Sequence, residues 1–185
     1  GKNNVNVLIG STFSKIGLNR DQFNAQGYTS DISMTNLSGA TTVTVGPNIA
    51  SIYKYAALFG RVDYNYDNRY IIALNARRDG SSRFGSENKF NNFGSIGTSW
   101  ILSNERFFAS VLPTISFAKI RASYGTTGND QIGDYQYLNL FNPVSYAAPY
   151  QQSASLALSR LPNPSLTWET PKKLQGGVDL AFFRD

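Results

Sequence analysis

The chain has 185 residues, no cysteine and no histidine, and a net charge of +5 from 17 Lys and Arg against 12 Asp and Glu. Disulfide frameworks, thiolate or imidazole metal sites and Cys- or His-based nucleophile–base pairs are therefore excluded, and most catalytic constellations with them. The basic residues are scattered, never more than two together, which argues against nucleic-acid binding, and no apolar run approaches the ~20 residues of a membrane helix. Tyr, Phe, Asn, Ser and Gly are abundant and Glu and Leu scarce, a composition that favours strands and turns and predicts an all-β fold.

In chain order, Val5, Val7, Ile9 and Phe13 alternate with Asn6, Gly10, Thr12 and Ser14, the pattern of a first strand. Asn19 to Asn48 is dense in Ser, Thr, Asn and Gly and reads as a long loop with a short ribbon at Thr41 to Val45. Such a loop is unusual in a compact soluble domain and ordinary at one rim of an outer-membrane barrel. Residues 1–52 thus read as a strand and a long variable loop, and residues 53–185 as the strands that carry the pattern.

Next, Leu58, Val62, Tyr64 and Tyr66 alternate with Arg61, Asp63, Asn65 and Asp67; beyond Asp67-Asn68, Tyr70, Ile72, Leu74 and Ala76 alternate with Asn75, Arg77 and Asp79. The spacing predicts a β-hairpin. Tyr64, Tyr66 and Tyr70 gather beside the tight turn on the apolar side, with aliphatics farther away. An aromatic girdle, a lipid-facing aliphatic band and a polar inner face describe a transmembrane β-barrel, although a soluble strand pair with tyrosine-rich ends would give the same letters.

Three more strands are predicted, over Phe93–Leu102, Ser116–Thr126 and Lys173–Phe183. In these, Ile96, Trp100 and Leu102 share a register; Ala118, Ile120, Ala122 and Tyr124 oppose Lys119, Arg121 and Ser123; and Leu174, Val178, Leu180 and Phe182 oppose Gln175 and Asp179. The links run long, tight, long, moderate and very long, as expected when short turns line one rim and long loops the other. The moderate link, Asn104 to Pro113, reads as a short helix on the tight-turn side with Asn104 as its N-cap. Six strands result, an antiparallel meander, and a membrane barrel needs at least eight. The chain opens and closes inside strand patterns, so it is expected to be a piece of a longer polypeptide.

Four strings then narrow the field: RRDGSSRFG at Arg77–Gly85, NERFF at Asn104–Phe108, KIRASYGTTGN at Lys119–Asn129 and NPSLTWET at Asn163–Thr170. In this order and spacing they resemble the C-terminal part of the barrel of SusC/RagA-type TonB-linked (TonB-dependent) outer-membrane proteins of Bacteroidetes. The resemblance covers about Tyr53 to Asp185. It implies a large plugged barrel in the bacterial outer membrane, energised by TonB through an N-terminal part outside this chain. It further implies a SusD-like surface lipoprotein as partner, an oligosaccharide or peptide as substrate, and no cofactor.

Site candidates follow from these faces. Arg61, Asp63, Arg77, Asp79, Lys119, Arg121 and Asp179 are lumen- or plug-facing candidates, with pairing to one another within the sheet as the default account. Asp79-Gly80 carries a turn signal, the aspartate capping its own backbone and the glycine accepting positive φ. In the longest link, Tyr135, Tyr137, Phe141, Tyr146 and Tyr150 are candidates for stacking on sugar or packing on a partner, and would otherwise pack the loop on itself. Tyr64, Tyr66 and Tyr70 are the membrane-belt candidates. No catalytic pair or metal site is expected, since Asp130, Asp134 and Glu169 give no reason to converge. A soluble carbohydrate-binding β-sandwich is the alternative, and it would bury Leu58, Leu74, Ile120 and Leu180.

Overall fold

A computed structural model describes residues 2–111, 114–144 and 155–182. Six strands form one antiparallel sheet in the order β1 (Asn3–Arg20), β4 (Ile49–Tyr66), β5 (Tyr70–Ser81), β6 (Phe90–Ile101), β7 (Ile115–Thr126) and β10 (Lys172–Phe182). Two short ribbons lie in the links: β2 (Phe23–Gln26) pairs with β3 (Thr42–Val45), and β8 (Leu140–Val144) with β9 (Ser155–Arg160). The chain divides into two compact units, residues 15–53 and the remainder. The smaller contains the β2–β3 ribbon and two 3-10 turns, Asp31–Thr35 and Leu37–Gly39, where a long loop with a ribbon at Thr41–Val45 is predicted.

The sheet is the predicted meander with longer strands: β1 and β4 each extend over 18 residues, where ~9–11 suffice to cross a bilayer at a tilt. The hairpin closes as its letters require. Asp67 and Asn68 both take positive φ, 53° and 51°, and the Arg69 N–H donates to the Tyr66 carbonyl at 3.0 Å, as in the type I′ turn that matches strand twist. Asp and Asn are the residues besides glycine that tolerate this conformation.

The moderate link departs from expectation. Among the described residues its helix, α1, covers Phe108–Val111 and is preceded by a 3-10 turn at Leu102–Asn104. Asn104 does not cap it; its Nδ2 donates instead to the Asn68 carbonyl at 2.6 Å, tying this link to the tight turn.

Candidate functional site

Strand pairing sorts the side chains into two faces. Across β4–β5–β6–β7–β10, Val62↔Leu74↔Ile96↔Tyr124↔Leu174 runs along one face, and Asp63↔Ala73↔Gly97↔Ser123↔Gln175 along the other. On the first face Leu58, Leu74, Ile120 and Leu180 are 59%, 48%, 42% and 49% exposed. They do not interdigitate in a core, so the water-soluble sandwich fails on the residues that would have built it. A contiguous apolar face left open needs an apolar neighbour.

The aromatic end of this face is built, not scattered. Tyr66 stacks on Tyr70 and Tyr70 on Trp100, with ring centroids 6.4 and 6.2 Å apart, while the Tyr64 hydroxyl donates to Asn3 Oδ1 at 2.9 Å. Glu105 anchors the row: its carboxylate accepts from the Tyr70 hydroxyl at 2.8 Å and the Trp100 indole at 3.1 Å, and pairs with Arg69 at 3.4 Å. These bonds, the Tyr70 bond foremost and the Trp100 bond next, hold the Glu105 carboxyl below its ordinary range. Sequence reasoning missed Trp100 and Glu105 as members of this group, because Trp100 lies a strand away from the tyrosines and Glu105 lies in a link.

The polar face holds the predicted charges, and it pairs most of them. Arg61 bonds both oxygens of Asp63 at 2.9 and 2.7 Å, and Arg77 both oxygens of Asp79 at 2.6 and 2.7 Å, each two residues along its own strand. Arg121 reaches Asp179 across the β7–β10 pair at 3.4 Å, and Lys119 stands opposite Asp179 in register. Arg61, Asp63, Lys119, Arg121, Ser123 and Gln175 border an open trough of about 710 Å³. The face is thus open, ionic and internally neutralised in part.

Asp79-Gly80 is no turn. Both lie inside β5, Gly80 has no positive φ, and Asp79 is buried against Arg77. Arg77 also hydrogen-bonds the Tyr55 hydroxyl. Glycine at position 80 serves a different purpose: a Cβ there would come within 2.4 Å of the Phe90 ring, which lies across it from β6 and would have to shift. Strand pairing overrode the local turn signal.

At the strands' far ends the characteristic strings converge. Phe84, Phe93 and Trp168 form a buried cluster, with centroids 5.1 Å (Phe84–Trp168) and 5.6 Å (Phe93–Trp168) apart, flanked by Tyr55, Ile132 and Leu166. Gly128 makes room, since a Cβ there would approach Phe93 to 2.3 Å. Arg83 locks the outside, pairing with Asp134 at 2.9 Å and donating to the Asp130 carbonyl at 3.0 Å. Asn129 and Glu169 exchange backbone hydrogen bonds at 2.9 and 3.2 Å and a side-chain bond at 2.8 Å. So RRDGSSRFG, GTTGN and NPSLTWET, distant in sequence, form one knot of loops.

The loop aromatics separate. Tyr135 and Tyr137 are half-buried, and Tyr137 Cδ2 lies 3.7 Å from a Cβ built at Gly85, so Tyr137 packs against the β5–β6 link. Phe141, by contrast, is 54% exposed on β8, opposite Leu158 of β9. Tyr146 and Tyr150 lie outside the described residues.

With this geometry in view, relatives can be weighed. No family model matches the chain. It is 35% identical over 184 residues to the TonB-dependent receptor P3 of Formosa agariphila, covering 99% of this chain and 18% of that protein. It is 34% identical over 128 residues to the TonB-dependent receptor SusC of Bacteroides thetaiotaomicron, covering 67% and 13%. Its fold superposes on a solved structure of the RagAB peptide transporter with a TM-score of 0.81, at 29% identity, over 98% of this chain and 20% of that one. This chain is a segment of a SusC/RagA-type TonB-dependent receptor. The receptor segment spans about a fifth of its relatives' length, and its six strands are part of a larger outer-membrane barrel. The superposition on RagAB is nearly as good in the open-open state, 0.79, as in the closed-closed state, 0.81.

Proposed function

We propose that the receptor imports a nutrient, an oligosaccharide or a peptide, across the outer membrane, and that this segment supplies part of the barrel wall. The observation that supports this reading is the two-sided sheet: an open apolar face ended by stacked aromatics, backed by an ionic face. On that basis Tyr64, Tyr66 and Tyr70, joined by Trp100, are the belt at the inner membrane boundary. Arg61, Asp63, Arg77, Asp79, Lys119, Arg121 and Asp179 face the lumen and its plug. Bond chemistry is not part of the role, and transport is powered by TonB through the receptor's N-terminal part.

The longest link would serve capture. On the β8–β9 ribbon Phe141, Leu156 and Leu158 are 54%, 68% and 50% exposed, an apolar patch of the kind that marks a contact surface. A SusD-like lipoprotein closing over the barrel is the partner it fits, with Tyr135, Tyr137, Tyr146 and Tyr150 as further contact candidates in the same link. The test is growth on glycan or peptide mixtures by cells whose receptor is deleted and then restored. Growth should require the complete receptor and TonB, and a Phe141→Asp, Leu158→Asp receptor should insert normally yet lose the copurifying lipoprotein. Growth without the receptor on every such mixture, or independence from TonB, would overturn the proposal.

A further inference from the structure

At its far end, away from the aromatic belt, the apolar face changes character in one sign only. Its outward register positions on β4 to β7 and β10 contain Lys54, Arg78 and Lys172, all toward that end, and no carboxylate. Every carboxylate of those strands, Asp63, Asp79 and Asp179, stands on the other face. From Tyr70 to Arg78 the strand rises by about 26 Å at ~3.3 Å per residue, or about 20 Å along the membrane normal at a tilt of 35–45°. With an apolar band about 25 Å tall, the Arg78 backbone stands about 5 Å short of the far boundary on the long-loop side, and its long side chain extends the guanidinium to the headgroups there.

There Arg78 stands beside a groove of about 290 Å³ lined by Ser11, Phe13, Ala56, Ala57, Leu58 and Phe90. Its guanidinium lies 5.5 Å from the Phe90 ring centroid, and such stacking orients the fork while leaving its N–H edge free to donate. The groove's wall closes on the sheet at Gly80, where a Cβ would come within 2.4 Å of the Phe90 ring unless the ring moved. An apolar channel of this kind, ending in an exposed cation with no acid on its face, matches one occupant, an acyl chain joined to a phosphate. We infer that Arg78 and the Phe13–Leu58–Phe90 groove seat a phosphorylated, acylated lipid of the outer leaflet, its phosphate on Arg78 and one chain along the groove. The inference rests on the membrane-facing assignment made in the proposed function.

The complete receptor, wild-type and Arg78→Gln, would be placed in phosphatidylcholine nanodiscs doped with lipid A, and retained lipid A measured by native mass spectrometry. Gly80→Ala, which makes the Phe90 ring move, is the second variant. Heat-modifiable gel mobility reports separately whether each barrel has formed. Wild-type receptor should retain lipid A at least about tenfold more strongly than either variant, the loss expected for one charge-assisted contact, with phosphatidylcholine retained equally by all three and inorganic phosphate failing to displace lipid A. Folded variants that hold lipid A as the wild type does would overturn the lipid seat, and displacement by inorganic phosphate would reduce it to a soluble-anion site. A receptor that never becomes heat-modifiable would instead refute the membrane assignment beneath it.

Discussion

Replacing Trp168 by alanine should open the loop knot and leave the sheet standing. Trp168 is 5% exposed and packs between Phe84 and Phe93. A buried aromatic removes roughly 150–250 Å² from water, about 4–6 kcal/mol at ~25 cal/mol per Å², and measured Trp→Ala losses in cores centre near 3–5 kcal/mol. Because Phe84 and Trp168 lie in links and Phe93 lies near one end of β6, this loss appears as local opening. At ~1.4 kcal/mol per decade, 3–5 kcal/mol raises the open population by about 10²–10³·⁵. Hydrogen–deuterium exchange on the complete receptor should show that acceleration for amides of residues 82–89 and 127–138, with the Tyr64–Leu74 hairpin unchanged. Acceleration spread evenly over sheet and loops, or none anywhere, would refute the knot as a separate cooperative unit.

Two further outcomes follow from ion pairs at the tight-turn end and within the strands. Glu105 has its folded-state pKa lowered from 4.5 by donors that exist only in the fold, so its stabilisation is complete above 4.5 and disappears as pH falls through the lowered value; Glu105→Gln should flatten that acid limb of the melting temperature, and an unchanged limb would exclude the clamp. Arg77→Ala removes both guanidinium bonds from the Asp79 carboxylate, whose side chain is 7% exposed, and should cost about 1–3 kcal/mol in denaturant unfolding; Arg61→Ala, at the more exposed Arg61–Asp63 pair, should be nearly silent, and equal losses would show that burial does not separate the two.

The sheet was legible in the sequence because a strand's period of two is a strictly local signal: Leu58 to Tyr66 and Tyr70 to Ala76 state their faces without any partner, and Asp67-Asn68 states its own turn. Contacts between links have no such signature. Nothing near Phe84 says that Trp168 will cover it, and Trp100 and Glu105 join the tyrosine belt only through strand pairing and the turn of a short link. The two misreadings have the same origin. Asp79-Gly80 carries genuine turn letters, yet Arg77 and Phe90 hold it in a strand; Asn104 carries genuine cap letters, yet α1 starts at Phe108 and the Asn104 amide bonds the Asn68 carbonyl. Local preference of a few tenths to ~1 kcal/mol yields wherever a tertiary contact is worth more.

The face assignment itself can be measured directly, because this segment contains no cysteine and single cysteines can be introduced one at a time. Spin labels at positions 58, 62, 72, 74 and 96 of the complete receptor in liposomes should be accessible to oxygen, which concentrates in hydrocarbon. Labels at 61, 63, 73, 75 and 95 should respond to a water-soluble nickel chelate or be shielded by the plug. A strict alternation along β4 to β6 is the predicted result. Oxygen access at the second set, or chelate access throughout the first, would contradict the assignment of lipid to one face and lumen to the other.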